Sequence, residues 1–324
     1  MKTSILSMVA ASLLCGVGTG QAAQNDYPTK PVTVVVGYGA GGGADTLARL
    51  YAEGLSNALG QPFVVSNRPG AGATTAAGAV AKTPPDGYTL MVAPTAVFTI
   101  TPQVRTVAYD PIQDFTPVAT LATGLGVVIG SKAIPATTLG EFIALAKARP
   151  GQYSFGSSGV ATSTHLLGEV FKETSGLNLL HVPYKSSSEY LADLMEGRVS
   201  LAFDPVLLNL VKADKLNLLG VISDERLKDY PDVGTTREAG MDMSTTQGQI
   251  WYGLFAPTGV PQAIVARLAD AIKQISQDDE VAQKLAGTGI RPSSVQGTTF
   301  QKLIADDIAY YGALIRKFDI KLTN

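Results

Sequence analysis

The chain has 324 residues, 45% of them hydrophobic, which suggests two domains more readily than one. Its net charge of −2 implies no basic face, so nucleic acid is not an expected partner. The one cysteine, Cys15, falls in the opening segment, so the mature chain is expected to lack thiol catalysis, disulfides and cysteine metal sites.

That segment reads as Lys2, an apolar run over residues 5–14 and the small-residue stretch Gly20-Gln21-Ala22-Ala23, the three parts of a secretory signal peptide. Residues 1–23 are therefore predicted to direct export to the periplasm, with cleavage after Ala22 or Ala23. Leu14 is too bulky to precede a lipid-modified cysteine, and Gly16, Gly18 and Gly20 interrupt any continuing helix. No later segment offers the roughly 20 apolar residues of a membrane span.

Beyond the signal one unit repeats: a β-branched run, a loop rich in Gly, Ser or Thr, and an alanine-rich amphipathic stretch. This pattern predicts an α/β fold built on parallel strands. Residues 32–36 are a continuous apolar strand, residues 38–43 its loop, and Leu47, Leu50, Tyr51 and Leu55 recur at helical spacing. Residues 63–65 form the next strand, and Asn67-Arg68-Pro69-Gly70-Ala71-Gly72 a second glycine-rich loop before a helix over 74–82. Pro84-Pro85-Asp86-Gly87 then turns the chain into a strand over 88–93, which leaves Pro94 and Thr95 at a strand's carboxyl end. A second set begins near Leu121: apolar residues to 129, a helix over 138–148, a strand over 153–155 and the loop Gly156-Ser157-Ser158-Gly159. A helix from about Thr162 follows, then strands over 179–182, 199–203 and 218–222. Residues 250–256 and the helices beyond Pro261 lack such a loop and are expected to return to the first domain. The resulting expectation is a two-domain periplasmic-binding-protein fold with the ligand cleft between domains: 24–121 with 245–324, and 122–244.

Parallel α/β sheets bind ligands beyond the carboxyl ends of their strands, where helix amino termini offer unpaired N–H groups and partial positive charge. Glycine lets the backbone approach closely there, and Thr46, Thr74, Thr95, Ser157, Ser158 and Ser163 supply neutral hydroxyls, so an anion needs no arginine. Ser158 and Ser163 are expected to be exposed. The same loops also serve as plain turns and helix caps, with Asp45 or Thr46 capping the first helix. Asp45 fits the first helical turn, where negative charge is favourable, better than a ligand contact. Asp204 ends a strand and is the one candidate partner for a ligand ammonium. His165 reads equally as a carboxylate contact and as a packing residue, whereas His181 reads as structural. Tyr38 and Tyr184 read as ligand walls or as core aromatics, and Trp251 as core or hinge packing.

Two enzymatic readings compete. Gly37-Tyr38-Gly39-Ala40-Gly41-Gly42 fits G-x-G-x-x-G, which suggests an NADP-dependent oxidoreductase with Arg68 at the 2′-phosphate, yet the acidic residue expected for the ribose is replaced by Ser66-Asn67-Arg68. A serine hydrolase lacks its elbow, because Val160 stands where G-x-S-x-G needs its last glycine. With two histidines and no metal-ligand cluster in the sequence, neither catalysis nor a cofactor is expected.

The residues resemble the Bug family of periplasmic receptors, the substrate-binding family of tripartite tricarboxylate transporters. The resemblance rests on Tyr27-Pro28, Lys30-Pro31, Gly41-Gly42 with Asp45 and Arg49, the Asn67 to Gly72 loop, Asp86-Gly87-Tyr88-Thr89-Leu90, Tyr109-Asp110 and Asp114-Phe115. It continues through Gly156-Ser157-Ser158-Gly159 with His165-Leu166, His181-Val182-Pro183-Tyr184-Lys185, Trp251-Tyr252-Gly253 and Ala256-Pro257. It implies that a first loop including Tyr38, Ala40, Gly41, Gly42 and Thr46 and a second including Ser157, Ala161, Thr162, Ser163 and His165 grip carboxylates from opposite sides, partly through water. It also implies a dicarboxylate, tricarboxylate, acidic amino acid, aromatic acid or nicotinate-like compound as ligand, which some members of the family deliver to a membrane permease. Gly37-Tyr38 departs from the family's proline and aromatic, Ala161 from its frequent glycine, and Thr235-Thr236 from its Pro-Thr pair. Of the ligands implied, a plain organic acid is favoured.

Overall fold

A computed structural model describes residues 26–184, 187–223, 225–243, 250–285 and 289–321. The signal segment with Cys15, Lys185 and the expected domain boundary at 244–245 lie outside the described residues. Among those described, no helix is long and apolar enough to cross a membrane.

The first half opens with β1 (Val32–Val36), whose β-branched run suits a strand buried on both faces. Helix α1 (Gly43–Leu59) follows and stops at Gly60, which takes the left-handed conformation at φ 74 and returns its N–H to Ser56. Next come β2 (Phe63–Asn67), α2 (Thr74–Val80), β3 (Thr89–Pro94), the short α3 (Thr95–Thr99) and α4 (Thr101–Val104), and β4 (Phe115–Gly124). The second half holds β5 (Gly126–Ser131), α5 (Leu139–Ala148), β6 (Ser154–Ser157), α6 (Ser163–Ser175), β7 (Leu180–Pro183), α7 (Ser187–Met195), β8 (Leu201–Ala202), α8 (Leu208–Lys212) and β9 (Leu216–Ile222). Thr138 and Glu141 close a reciprocal capping box at the start of α5. The chain then supplies β10 (Trp251–Pro257), α9 (Gln262–Ser276), α10 (Asp279–Leu285), β11 (Ile290–Pro292) and α11 (Gly297–Lys317).

Two sheets result. The first has the order β11-β4-β10-β3-β1-β2 and the second β7-β6-β8-β5-β9, so β10 and β11 lie with the opening strands, and the change of sheet falls between Gly124 and Gly126. The apolar run near Leu121 thus divides into two strands rather than starting the second sheet alone. The expectation of parallel strands holds only for β1 with β2 and β3, and for β6 with β7 and β8. Strand β10 runs antiparallel to both neighbours, β11 antiparallel to β4, and β5 antiparallel to β8 and β9. A chain that leaves one sheet and returns from another enters in the opposite direction, and an apolar run buried on both faces carries no mark of direction.

Adjacent residues pack on opposite faces, as the strand pleat requires. Val34 and Leu254 meet Leu47, Tyr51, Leu268 and Ile272 on one side of the first sheet. Val35 and Phe255 meet Phe98, Trp251 and Phe300 on the other. In the second sheet Leu219 packs with Phe142, Phe155 and Phe203, whereas Leu218 packs with Val127, Ile129 and Tyr190. Both sheets are covered on both faces. Trp251 is core, as expected: its Nε1–H donates to Asp307 at 2.7 Å and its ring lies edge-on to Phe300.

The Thr235-Thr236 pair sits beside β9, with Thr235 bridged to Val221. The Thr236 hydroxyl is fully buried without a hydrogen-bond partner among the described residues. An unmade buried hydrogen bond costs about 1–3 kcal/mol, so Thr236→Val, which keeps the shape, is expected to raise the denaturant midpoint by about 1 kcal/mol equivalent. An unchanged or lower midpoint in a urea titration would contradict this.

Candidate functional site

The two halves repeat one local design. In each, a central strand (β1 or β6) lies between two parallel neighbours and ends in a small-residue loop that starts a helix (α1 or α6). In the first loop Ala40, Gly41, Gly42 and Thr46 are exposed and Tyr38 is half-buried. The N-cap of α1 is Gly42, so neither Asp45 nor Thr46 caps it. Asp45 instead occupies the first turn, buried, and its carboxylate accepts from the Gly41 N–H at 2.8 Å, Asn67 Nδ2 at 2.8 Å and Arg49 Nε at 3.0 Å. Burial pushes its pKa up, but these three donors outweigh that and hold it below the ordinary value. Asp45 therefore fixes the loop's shape.

The second loop is a hydroxyl network. Ser157, fully buried, bonds His181 Nε2 at 2.7 Å and Gly159 O at 3.1 Å. The Ser158 hydroxyl lies 3.2 Å from that of Thr164, and Thr162 donates to Gly159 O at 2.7 Å while capping α6 by accepting from the His165 N–H. Ser163 reaches Tyr311 of α11. Ser158 and Ser163 are thus half-buried rather than exposed, because Thr164 and Tyr311 draw them inward. Ala161 is buried at φ 60, a left-handed conformation that explains why glycine suits this position. It packs with Leu166, Ile100, Tyr311 and Ile315, where the two halves meet.

His165 is buried, and its Nδ1 accepts the Ala161 N–H at 3.1 Å. Its ring stacks on His181, centroids 3.9 Å apart at 18°. Burial drives the His181 pKa down to about 3, helped by His165 and Lys172, so its imidazole is neutral near pH 7. His165, Glu169 and His181 bring ligand-capable atoms within 4.8 Å of one another. Stacked imidazoles, however, point their in-plane lone pairs side by side rather than to one centre. Lys172 also holds the Glu169 carboxylate at 2.8 Å. The trio serves packing better than metal binding.

Other predicted residues lie around the loops. The Thr95 hydroxyl is buried and donates to Trp251 O at 3.0 Å while accepting its N–H at 2.8 Å, tying β3 to β10. Thr74 donates to Ala71 O at 2.9 Å within its own turn. Tyr184, half-buried, donates to Asp193 at 2.6 Å, and burial together with that carboxylate pushes its pKa up to about 12. Asp204 is buried beyond β8 and accepts from Ser187, from Tyr190 at 2.9 Å and from the Val206 N–H at 3.2 Å.

Three further residues bring the halves together. A Cβ on Gly43 would lie 3.6 Å from the Tyr252 hydroxyl and 3.9 Å from Val206, so the amino terminus of α1 abuts the second half. Burial, then the Asp204 charge and Tyr38, raise the pKa of Tyr252. Burial alone pushes Tyr38 up to about 12. Tyr252 and Val206 are absent from the predicted set, although Trp251-Tyr252-Gly253 stands out as a motif. Only the position of β10 between β3 and β4 shows where that tyrosine points.

Residues 47–320 match the family model for the tripartite tricarboxylate transporter family receptor. The chain is 30% identical over 323 residues to a UPF0065 protein of Bordetella pertussis, covering 99% of each. A solved structure described as a periplasmic transporter superposes with a TM-score of 0.82 at 36% identity, over 92% of this chain and 100% of that one. Rpa4515 of R. palustris, solved with adipate, gives 0.82 at 34% identity, over 91% and 99%.

Proposed function

Because this chain belongs to the tripartite tricarboxylate transporter receptor family, we propose that it captures a small amine-free organic diacid between its two halves. The family is one of solute-binding receptors, not enzymes, and the dinucleotide reading finds no support among the relatives. Gly37, first glycine of that fingerprint, has a packing reason of its own: a Cβ there would meet the Cβ of Ala73 at 2.2 Å. On this reading residues 1–23 direct export to the periplasm, the halves are 24–121 with 245–324 and 122–244, and a membrane permease receives the ligand.

The observation that carries the proposal is the pair of loops, each opening a long helix near the junction of the halves and neither containing lysine or arginine. Carboxylates would be held by helix-terminal N–H groups, by the hydroxyls of Thr46, Ser158 and Ser163, and by the backbone of Ala40, Gly41 and Gly42, while Thr162 serves as the cap of α6. Tyr38 and Tyr184 would wall the space, with the Tyr252 hydroxyl beside Gly43. Closure would then follow from contacts made to both halves at once. Asp204 already accepts three hydrogen bonds of the roughly four a carboxylate can take, which disfavours a role as ammonium partner.

The adipate-bound neighbour sets the first probe. In a thermal-shift and calorimetric screen, adipate or another C4–C6 diacid is expected to give a saturable rise in melting temperature, glutamate at least about tenfold weaker binding, and NADP none. Tighter glutamate binding would return Asp204 to the ammonium role, and a response to NADP would overturn the receptor reading.

A further inference from the structure

We propose that His165 is the positioning residue of the second loop, its neutral imidazole doing for Ala161 what the Asp45 carboxylate does for Gly41. The proposal rests on the reading of that loop as a ligand clamp. In the first half Gly41 has φ 81, Gly42 caps α1 at φ −79 and ψ 167, and the Gly41 N–H donates to Asp45 at 2.8 Å. In the second half Ala161 has φ 60, Thr162 caps α6 at φ −91 and ψ 163, and the Ala161 N–H donates to His165 Nδ1 at 3.1 Å. Both acceptors are the third residue of their helix, both follow the donor by four residues, and both are buried. The neighbouring strands support the two acceptors differently: Asn67 of β2 bonds Asp45 in the first half, whereas His181 of β7 stacks on His165 and bonds Ser157 in the second.

The second half needs the bond more, because alanine resists the left-handed conformation that glycine accepts. Only an unprotonated Nδ1 can accept, so His165 is fixed as the Nε2–H tautomer with that nitrogen 3.8 Å from Glu169. The groups around it are Glu169 and Lys172 on its own helix, His181 from β7 and, through Ser163, Tyr311 from α11. Burial first, and Lys172 after it, hold His165 below its ordinary pKa against the pull of Glu169, which keeps the acceptor available at neutral pH. Protonation would turn the acceptor into a second donor facing the Ala161 N–H and release the loop.

The test compares wild type with His165→Asn, His165→Gln and His165→Ala in the full mature protein. Asparagine carries an oxygen on the same carbon position as Nδ1 and cannot titrate; glutamine places it one bond too far. In ligand-free protein, long-range 15N spectra of wild type should show the Nε2–H tautomer of His165. Ala161 amide exchange should be slow in wild type and the Asn variant and at least about tenfold faster in the Gln and Ala variants. With adipate and malate as probes, the Asn variant should bind within about threefold of wild type and the other two at least about tenfold more weakly. Toward acid, the wild type should lose affinity relative to the Asn variant. An Nδ1–H tautomer, or an Asn variant as impaired as the Ala variant, overturns the positioning role. The tautomer and exchange pattern without binding of either probe would sustain that role while counting against the diacid ligand.

Discussion

Gly37→Ala is expected to abolish the diacid binding proposed above and to destabilise the protein by about 3 kcal/mol, the upper end of the usual overpacking penalty. The added methyl would lie 2.2 Å from the Cβ of Ala73 and 2.6 Å from its Cα, in a buried residue that holds φ 73 at the start of α2. Something must move, and the nearest movable element is the loop from Tyr38 to Thr46. Ala73→Gly removes the clash with the side-chain methyl but not the one with the backbone carbon that bears it, so the double variant should recover part of the stability. Denaturant midpoints for the four proteins check this. A Gly37→Ala variant that melts and binds like wild type would show that the loop tolerates displacement and is not the clamp proposed above.

Asp45→Ala should weaken binding by at least about a hundredfold and cost about 3 kcal/mol of stability, since removing one member of a buried charged network leaves its donors unmatched. The Gly41 N–H loses its acceptor, Asn67 Nδ2 keeps only Tyr38 O, and Arg49 keeps only Asn67 Oδ1. The sign with pH follows from the lowered pKa. The native carboxylate stays ionised below its ordinary value of 3.8 while that of the unfolded chain takes up protons. Its contribution is therefore full above that value and is lost as pH falls through the lower native pKa. The stability gap between wild type and Asp45→Ala should be constant at neutral pH and narrow only in strong acid. A gap that closes well above the ordinary value of 3.8 would mean that the ionised Asp45 carboxylate is not what supports the loop.

Much of this molecule is legible in its residues. The β-branched run of β1, the helical spacing of α1 and the Thr138 cap of α5 each have a local cause, and local causes leave local marks. The antiparallel entry of β10 leaves none, because the burial of Leu254 and Phe255 looks the same in either direction. At the site, glycine and hydroxyl content marks both loops, but the division of labour within them depends on partners remote in sequence. Asp45 is turned inward by Asn67, Ser163 by Tyr311, and the Thr95 hydroxyl by Trp251. Tyr252 is illegible for the same reason: its hydroxyl matters through Gly43 and Asp204, which topology alone brings to it. The left-handed Ala161 is hidden because alanine rarely signals that conformation.

The place of β10 between β3 and β4 bears on how the chain acquires its structure. The five strands of the second sheet are contiguous between residues 126 and 222, so their unit can form as soon as that stretch is available. The first sheet is interrupted at its middle until residue 257 arrives. A polypeptide threaded across a membrane amino end first would thus emerge with its opening strands β1, β2 and β3 unable to join β4. It would finish the sheet of its second half before that of its first, and β10, the strand that joins β3 to β4, would also seat Tyr252 beside Gly43. On this order the wall at Tyr252 is added after the second sheet is complete, by the same strand that bridges β3 and β4.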